Sequence, residues 1–258
     1  FINDADLFNE NKEHVIQIVM EQPYLIKAIK LFASEKLKES KGNILDLCTG
    51  SGVIGQSFKP NGWNLTGVDI NPRAISYANF NASINNLDAD YKILNIVSEN
   101  INGEYDIISA NPPYNSLIDN NNSNHEDITL HSGIVGNIVP DSCVMHAKNL
   151  LKENGYFFMC GVMLFNGLVP SNQTINSLSK EGTVLVIHKA ISNVDSWEGM
   201  RLLHGTQPNF SEINEGKFEK IYKENNWFTD VGWAILIFKK GGKKGIFSVY
   251  NHPTDAIL

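Results

Sequence analysis

The chain has 258 residues, 42% hydrophobic and 19% charged, which suits one large globular domain with a sizeable core and excludes a disordered chain. A net charge of −7 and a pI near 5.5 disfavour nucleic acid as a partner over any broad face. No run approaches the roughly 18 apolar residues of a membrane span, and the start, Phe1-Ile2-Asn3-Asp4, has no basic end before an apolar core.

A cytoplasmic protein with no membrane contact is therefore the expectation. The three cysteines, Cys48, Cys143 and Cys160, are odd in number and lack paired metal-ligand spacing. They read as reduced thiols, and no metal site is expected. From Glu13 to Leu37, apolar residues including Val15, Ile18, Leu25, Ile29 and Phe32 recur at helical spacing, interrupted at Pro23. The spacing predicts two helices within residues 1–40, with an apolar face against a sheet.

Ile44-Leu45-Asp46-Leu47 then reads as a strand, Cys48-Thr49-Gly50-Ser51-Gly52 as a glycine loop, and Val53 onwards as a helix. Gly50 and Gly52 permit a tight backbone and close ligand approach, and Gly55 lets the helix lie near the strand. No Lys-Ser/Thr follows the glycines, so a nucleoside triphosphate is not expected. A second strand, Leu65-Thr66-Gly67-Val68-Asp69, ends in an acid able to accept both hydrogen bonds of a vicinal diol such as a ribose. Asn71-Pro72 starts a helix running to about Ala82, because proline is well placed in a first turn. Tyr91 to Val97 reads as a third strand and Tyr105 to Ala110 as a fourth.

The fourth strand delivers Asn111-Pro112-Pro113-Tyr114. Neither proline has an N–H, and each pushes the residue before it towards extended backbone, so Asn111 and Pro112 are held stiffly past the strand end. That edge is where open α/β sheets bind ligands. A side-chain amide oxygen and a carbonyl presented there are two fixed acceptors, which suit an NH2 group. The polar stretch Asp119 to Asp127 reads as a mobile loop, either a lid over the site or a plain disordered connection. Val144 to Leu151 reads as a helix, and Tyr156 to Met159, Thr183 to Lys189 and Trp233 to Lys239 as the fifth to seventh strands. An insertion at about 191–230 carries Trp197, Met200, Arg201, His204, Phe210 and Trp227, a composition that fits a cover for substrate or a docking segment.

With the glycine loop, Asp69 and the Asn-Pro-Pro-Tyr segment in this order, the chain resembles class I S-adenosylmethionine-dependent methyltransferases, and within them the glutamine-amide N-methyltransferases that modify release factors. Resemblance runs from about Ile44 to Met159. It implies an α/β fold, a Rossmann-like seven-stranded methyltransferase sheet with helices on both faces, occupying 41–258 behind the N-terminal helices. It also implies that S-adenosyl-L-methionine is the cofactor, with Asp46, Cys48, Gly50 and Gly52 contacting its methionine half, Asp69 holding its ribose, and Thr49 and Ile70 among the cofactor-binding residues. Asn95 falls where the family has an acid near the adenine, and Asn111 borders both cofactor and acceptor. The chain departs from the release-factor enzymes in carrying only Ser132-Gly133-Ile134-Val135-Gly136 after the motif and about forty residues before the first strand.

The resemblance implies Asn111, Pro112 and Tyr114 as the catalytic residues. The Asn111 oxygen and the Pro112 carbonyl would each accept one N–H of a planar NH2, uncovering its delocalised lone pair, with Tyr114 stacked on the planar group. The acceptor would be an amide, amine or guanidine of a small metabolite or protein side chain. His125 and His131 read as loop histidines rather than bases. A second reading keeps the chemistry and makes the acceptor a nucleic-acid base, with Lys239, Lys240, Lys243 and Lys244 on phosphates. A third has the fold bind cofactor or partner without turnover.

Overall fold

The computed structural model describes residues 15, 18, 21–114, 136–167, 169–193 and 230–250. The expected first helix before Pro23, the Asp119–Asp127 loop, His125, His131 and most of the 191–230 insertion lie outside these described residues.

Strands and helices alternate in the first half of the chain, and the fold follows from that alternation. The strands are β1 (Asn43–Leu47), β2 (Asn64–Asp69), β3 (Asp90–Ile93), β4 (Tyr105–Ala110), β5 (Leu151–Asn166), β6 (Val169–Pro170), β7 (Gly182–Asn193) and β8 (Asp230–Tyr250). The helices are α1 (Glu21–Phe32), α2 (Val53–Phe58), α3 (Pro72–Ile84), α4 (Ile138–Leu150) and α5 (Gln173–Leu178). They build one eight-stranded sheet in the order β3-β2-β1-β4-β5-β8-β7, with β6 paired to β5. The first five strands on this path are parallel, and β8 enters antiparallel to β5.

Period-two alternation divides the core between the two faces of the sheet. Leu45 and Leu47 of β1, Ile108 of β4 and Phe157 of β5 pack with Cys143, Val144 and Ala147 of α4 and Ile175 and Leu178 of α5. Ile44, Ile107 and Phe158 point the other way, onto Leu25 and Ile29 of α1, Ile54 and Phe58 of α2, and Ala78 of α3. All six residues of β4 are buried, as expected of a strand covered on both faces.

After β1 the chain moves outward to β2 and β3, then returns to place β4 on the other side of β1. The direction of winding reverses between β1 and β4. Their carboxyl ends form the switch point at which such sheets bind ligands, and Leu47 and Ala110 are partners there, so Cys48 and Asn111 emerge side by side.

Several boundaries differ from the sequence expectation. Pro23 lies inside the first turn of α1, where its missing N–H has no intrahelical acceptor to lose. The third strand stops at Ile93 because Asn95 turns the chain, its Oδ1 accepting Val97 N at 3.0 Å. The fifth to seventh strands are longer than expected. β8 continues past Lys240 through Gly241 and Gly242, both at positive φ, and its second half lies along β7 again, from Thr183–Gly245 onwards, in rising rather than falling register. The two-residue β6 and the six-residue α5 had no counterpart in the sequence reading.

Candidate active site

The loop after β1 is shaped by a carboxylate beneath it. Asp46 is fully buried, with Oδ1 accepting Ser109 Oγ at 2.6 Å and Oδ2 accepting Thr49 Oγ1 at 2.7 Å and Gly55 N at 3.2 Å. Burial pushes its carboxyl up to about 6, against the lowering effect of those three donors. Asp46 therefore joins β1, β4, the loop and α2 from below. Above it, Cys48 takes a left-handed backbone with φ 53, a conformation rare for a residue with a side chain and concentrated at functional sites. Gly50 follows at φ 54, and a Cβ placed there would meet nothing within 4 Å. The backbone at Gly50 is thus open to close approach by a ligand.

At the end of β2, Asp69 takes Gly50 N on Oδ2 at 2.8 Å and Asn71 N on Oδ1 at 2.9 Å. Burial raises its carboxyl above the ordinary value, while the backbone N–H groups of Asn71, Gly50 and Ile70 pull it back. Three backbone donors on about four lone-pair sites leave the carboxylate room for a further donor. Asn71 caps α3 through Oδ1 to Arg73 N at 2.9 Å, with Pro72 in the first turn. The Asn95 side-chain oxygen already accepts Val97 N, so the Nδ2 edge carries no such commitment to that turn.

These parts surround a cavity of about 340 Å³ at the carboxyl ends of β1, β2 and β4. It brings together Cys48, Thr49, Gly50, Asp69, Ile70, Asn95 and Asn111 of the residues expected from sequence. It does not bring in Asp46 and Gly52. Asp46 lies under the loop, and Gly52 packs into the protein, where a Cβ would stand 2.5 Å from Gln56 Nε2 and 2.8 Å from the Tyr91 hydroxyl. Gln22 of α1, Leu94 and Val97 after β3, and Val139 of α4 complete the wall. None of the four is signalled as a site residue in the sequence; the apolar stripe of Val15, Ile18, Leu25 and Ile29 marks only the helical segment that carries Gln22.

The Asn-Pro-Pro-Tyr segment divides this cavity from a second hollow of about 40 Å³. Asn111 and Pro113 border the larger space, while Pro112 and Tyr114 border the smaller one with Met159, Gly161 and Ile175. The Tyr114 ring lies over Gly161, where an added Cβ would come within 2.7 Å of Tyr114 Cδ1. Its hydroxyl donates to Glu21 Oε1 at 2.5 Å. Asn111 Oδ1 accepts the Cys160 thiol at 3.3 Å.

The residues present fit S-adenosylmethionine. The Asp69 carboxylate, a group able to accept from a diol, lies between the open backbone of Gly50 and a set of apolar and amide groups, Ile70, Leu94, Asn95 and Val97, suited to a purine edge. Among the described residues no group of three His, Cys, Asp or Glu side chains could hold a metal ion, and no helix is long and apolar enough to cross a membrane.

Comparison with known proteins agrees with this geometry. The chain is 32% identical over 120 residues to the release factor glutamine methyltransferase of Streptococcus pneumoniae, a match covering 46% of this chain and 42% of that protein. It is 29% identical over 142 residues to a Methanocaldococcus jannaschii protein provisionally named as a protein N5-glutamine methyltransferase, covering 54% and 70%. The chain thus spans well under the full length of these curated relatives. A Listeria monocytogenes crystal structure, provisionally assigned as a class I S-adenosylmethionine-dependent methyltransferase, matches the fold at a TM-score of 0.56 and 15% identity, covering 94% of this chain and 70% of that one. A family model for the methyltransferase small domain matches residues 26–185. That span is more than half of the chain and contains the loop after β1, Asp69 and the Asn-Pro-Pro-Tyr segment, so the chain belongs to the methyltransferase small domain family.

Proposed function

We propose that this protein is an S-adenosylmethionine-dependent N-methyltransferase whose acceptor is a planar NH2 group, best read as the side-chain amide of a protein glutamine. The observation that carries the reading is the position of Asn111, at the end of β4, bordering the same cavity as Gly50 and Asp69. Relatives named for glutamine methylation, of release factors and of a ribosomal protein, favour an amide acceptor. Asp69 would hold the ribose, Asn95 the purine edge, and Cys48, Thr49 and Gly50 the methionine half. Bound there, S-adenosylmethionine supplies an electrophilic methyl carried on a sulfonium.

The remaining work falls to this chain. An amide nitrogen has its lone pair delocalised into the carbonyl and is a poor nucleophile as it stands. The Asn111 oxygen and the Pro112 carbonyl, each accepting one N–H, would hold the nitrogen so that it pyramidalises towards the cavity, and the displaced proton leaves to water. Holding the reacting atoms in line is worth up to about 7 to 11 kcal/mol in well-oriented systems. No strong general base is needed.

The nucleic-acid alternative loses support. Lys240 Nζ donates to the carbonyls of Lys148 and Leu151 at 3.0 and 2.8 Å, closing the end of α4. Lys239 lies over the Tyr156 ring at 5.4 Å and Lys243 over the Phe247 ring at 5.7 Å. Three of the four lysines expected on phosphates thus have intramolecular roles.

The test is transfer of radiolabelled methyl to a peptide with a single internal glutamine, with an RNA oligonucleotide in parallel. The expected result is N-methylglutamine in the digested peptide, and a rate about a hundredfold or more lower in Asn111→Ala, the usual cost of deleting one preorganised polar contact to a reacting group. An undiminished rate in Asn111→Ala would contradict the mechanism, and label only in the RNA would contradict the acceptor.

A further inference from the structure

The turn after β3 brings a side-chain amide to the cavity wall, and the orientation of that amide is fixed. Asn95 Oδ1 accepts Val97 N at 3.0 Å. A side-chain amide can be turned about its last torsion, exchanging oxygen and NH2, and only its hydrogen-bond partners decide between the two. Here the partner is a backbone N–H, which donates and cannot accept, so the atom facing Val97 is the oxygen. With the amide reversed, an NH2 would oppose an N–H.

The backbone carrying Asn95 is held from several sides. Asn95 N donates to Glu99 Oε1 at 2.8 Å. Asn95 O accepts Ser98 N at 3.2 Å and Glu99 N at 2.9 Å, and Leu94 N donates to Asp69 O at 2.8 Å. From α4, His146 Nε2 donates to Ile96 O at 2.8 Å. Among the described residues no group accepts from Asn95 Nδ2. Asn95 borders the cavity beside Ile70, Leu94, Ile96 and Val97, whose side chains offer apolar faces and no hydrogen-bonding atom. In such surroundings a donor set against a donor, or an acceptor against an acceptor, is costly.

We propose that Asn95 reads the cofactor's base as a hydrogen-bond donor, its Nδ2 giving a proton to an acceptor atom of the purine, a ring nitrogen in adenine, rather than its oxygen accepting from the exocyclic amino group. The inference rests on the S-adenosylmethionine reading and adds the sense of the base contact. It carries a specificity. In hypoxanthine an oxygen replaces the amino group, so a donor at residue 95 still finds an acceptor on that base. A carboxylate of the same shape, Asn95→Asp, keeps one oxygen on Val97 N and turns the other, an acceptor, to the base, which suits the amino group of adenine and opposes the oxygen of hypoxanthine.

The experiment is calorimetric titration of wild type and Asn95→Asp with S-adenosylhomocysteine and with its deaminated counterpart, S-inosylhomocysteine. Preference for the adenosyl over the inosyl ligand should be at least about tenfold greater in Asn95→Asp than in wild type, the scale of exchanging a matched pair for two opposed acceptors. A side chain that only shaped the turn would weaken both ligands alike and leave the preference unchanged. In ¹⁵N-labelled wild type, the Asn95 side-chain NH2 pair, identified by its absence from Asn95→Asp, should shift as S-adenosylhomocysteine is added. Equal preference in the two proteins would mean that the second lone pair of Oδ1 takes the amino group, and would overturn the inference, as would an NH2 pair indifferent to the ligand. Wild type that binds neither ligand would instead overturn the cofactor reading itself, and the inference with it.

Discussion

Asp46 and Asp69 lie at neighbouring strand ends and do different work. Asp69 borders the cavity, whereas Asp46 holds the loop from below through Ser109, Thr49 and Gly55. Asp69 could be placed at the cavity from sequence because an acid closing the second strand of such a sheet stands at the carboxyl edge where ligands bind. Asp46 looked like a cofactor ligand by its place in the motif, since nothing in the run Ile44 to Gly55 says which side of the sheet its side chain takes. Glu21 stayed hidden for a similar reason: its partner Tyr114 is 93 residues away. Asp46 carries a testable cost. Its carboxyl is held near 6, against 3.8 when solvated, so between these values the folded chain keeps a proton that the unfolded chain gives up. The stability tied to that proton is complete below about 3.8 and is lost as pH rises through 6, a change on the order of 3 kcal/mol. Urea unfolding at pH 4 to 7.5 should show wild type losing stability relative to Asp46→Asn as pH rises, then a constant gap. A gap independent of pH would contradict the assignment.

At the scale of elements, β1, β2, β4 and α3 were readable because each begins or ends on residues with one meaning, such as the Asn71 cap and the Pro72 first turn. The short α5 carries just two buried apolar residues, Ile175 and Leu178, too few to display a period. At Gly241 and Gly242, both at positive φ, β8 reverses from falling to rising register along β7, so the two glycines supply the turn that their conformational freedom favours. The join of the loop to α2 is an exacting local feature. Gly52 combines φ 81 with side chains 2.5 and 2.8 Å from where a Cβ would stand. Gly52→Ala should lower the unfolding free energy by roughly 1 to 3 kcal/mol, from backbone strain and overpacking together. Chemical denaturation measures it, and an unchanged midpoint would mean that Gln56 and Tyr91 make room freely.

The whole molecule is organised by the reversal of winding between β1 and β4, which places two loops far apart in sequence at one sheet edge. Alternation of strand and helix made that architecture legible before any side chain was considered. The acceptor side was less legible, because Glu21, Tyr114, Cys160 and Gly161 meet only in the folded chain. The molecule's acidic balance and its engaged lysines make a further expectation: the protein should elute from heparin below about 0.2 M salt, since few phosphate contacts give a shallow salt dependence. Retention to high salt, abolished by Lys239→Glu with Lys243→Glu, would revive a nucleic-acid acceptor.

In the proposed mechanism, Asp69 and the loop after β1 would hold S-adenosylmethionine beside Asn111. Calorimetric titration with S-adenosylmethionine and S-adenosylhomocysteine, on wild type and Asp69→Ala, tests it most directly. The account predicts affinities of roughly micromolar order. It also predicts a loss of at least about a hundredfold in Asp69→Ala, the scale of two hydrogen bonds to a charged group. No binding by wild type, or equal binding by Asp69→Ala, would contradict it.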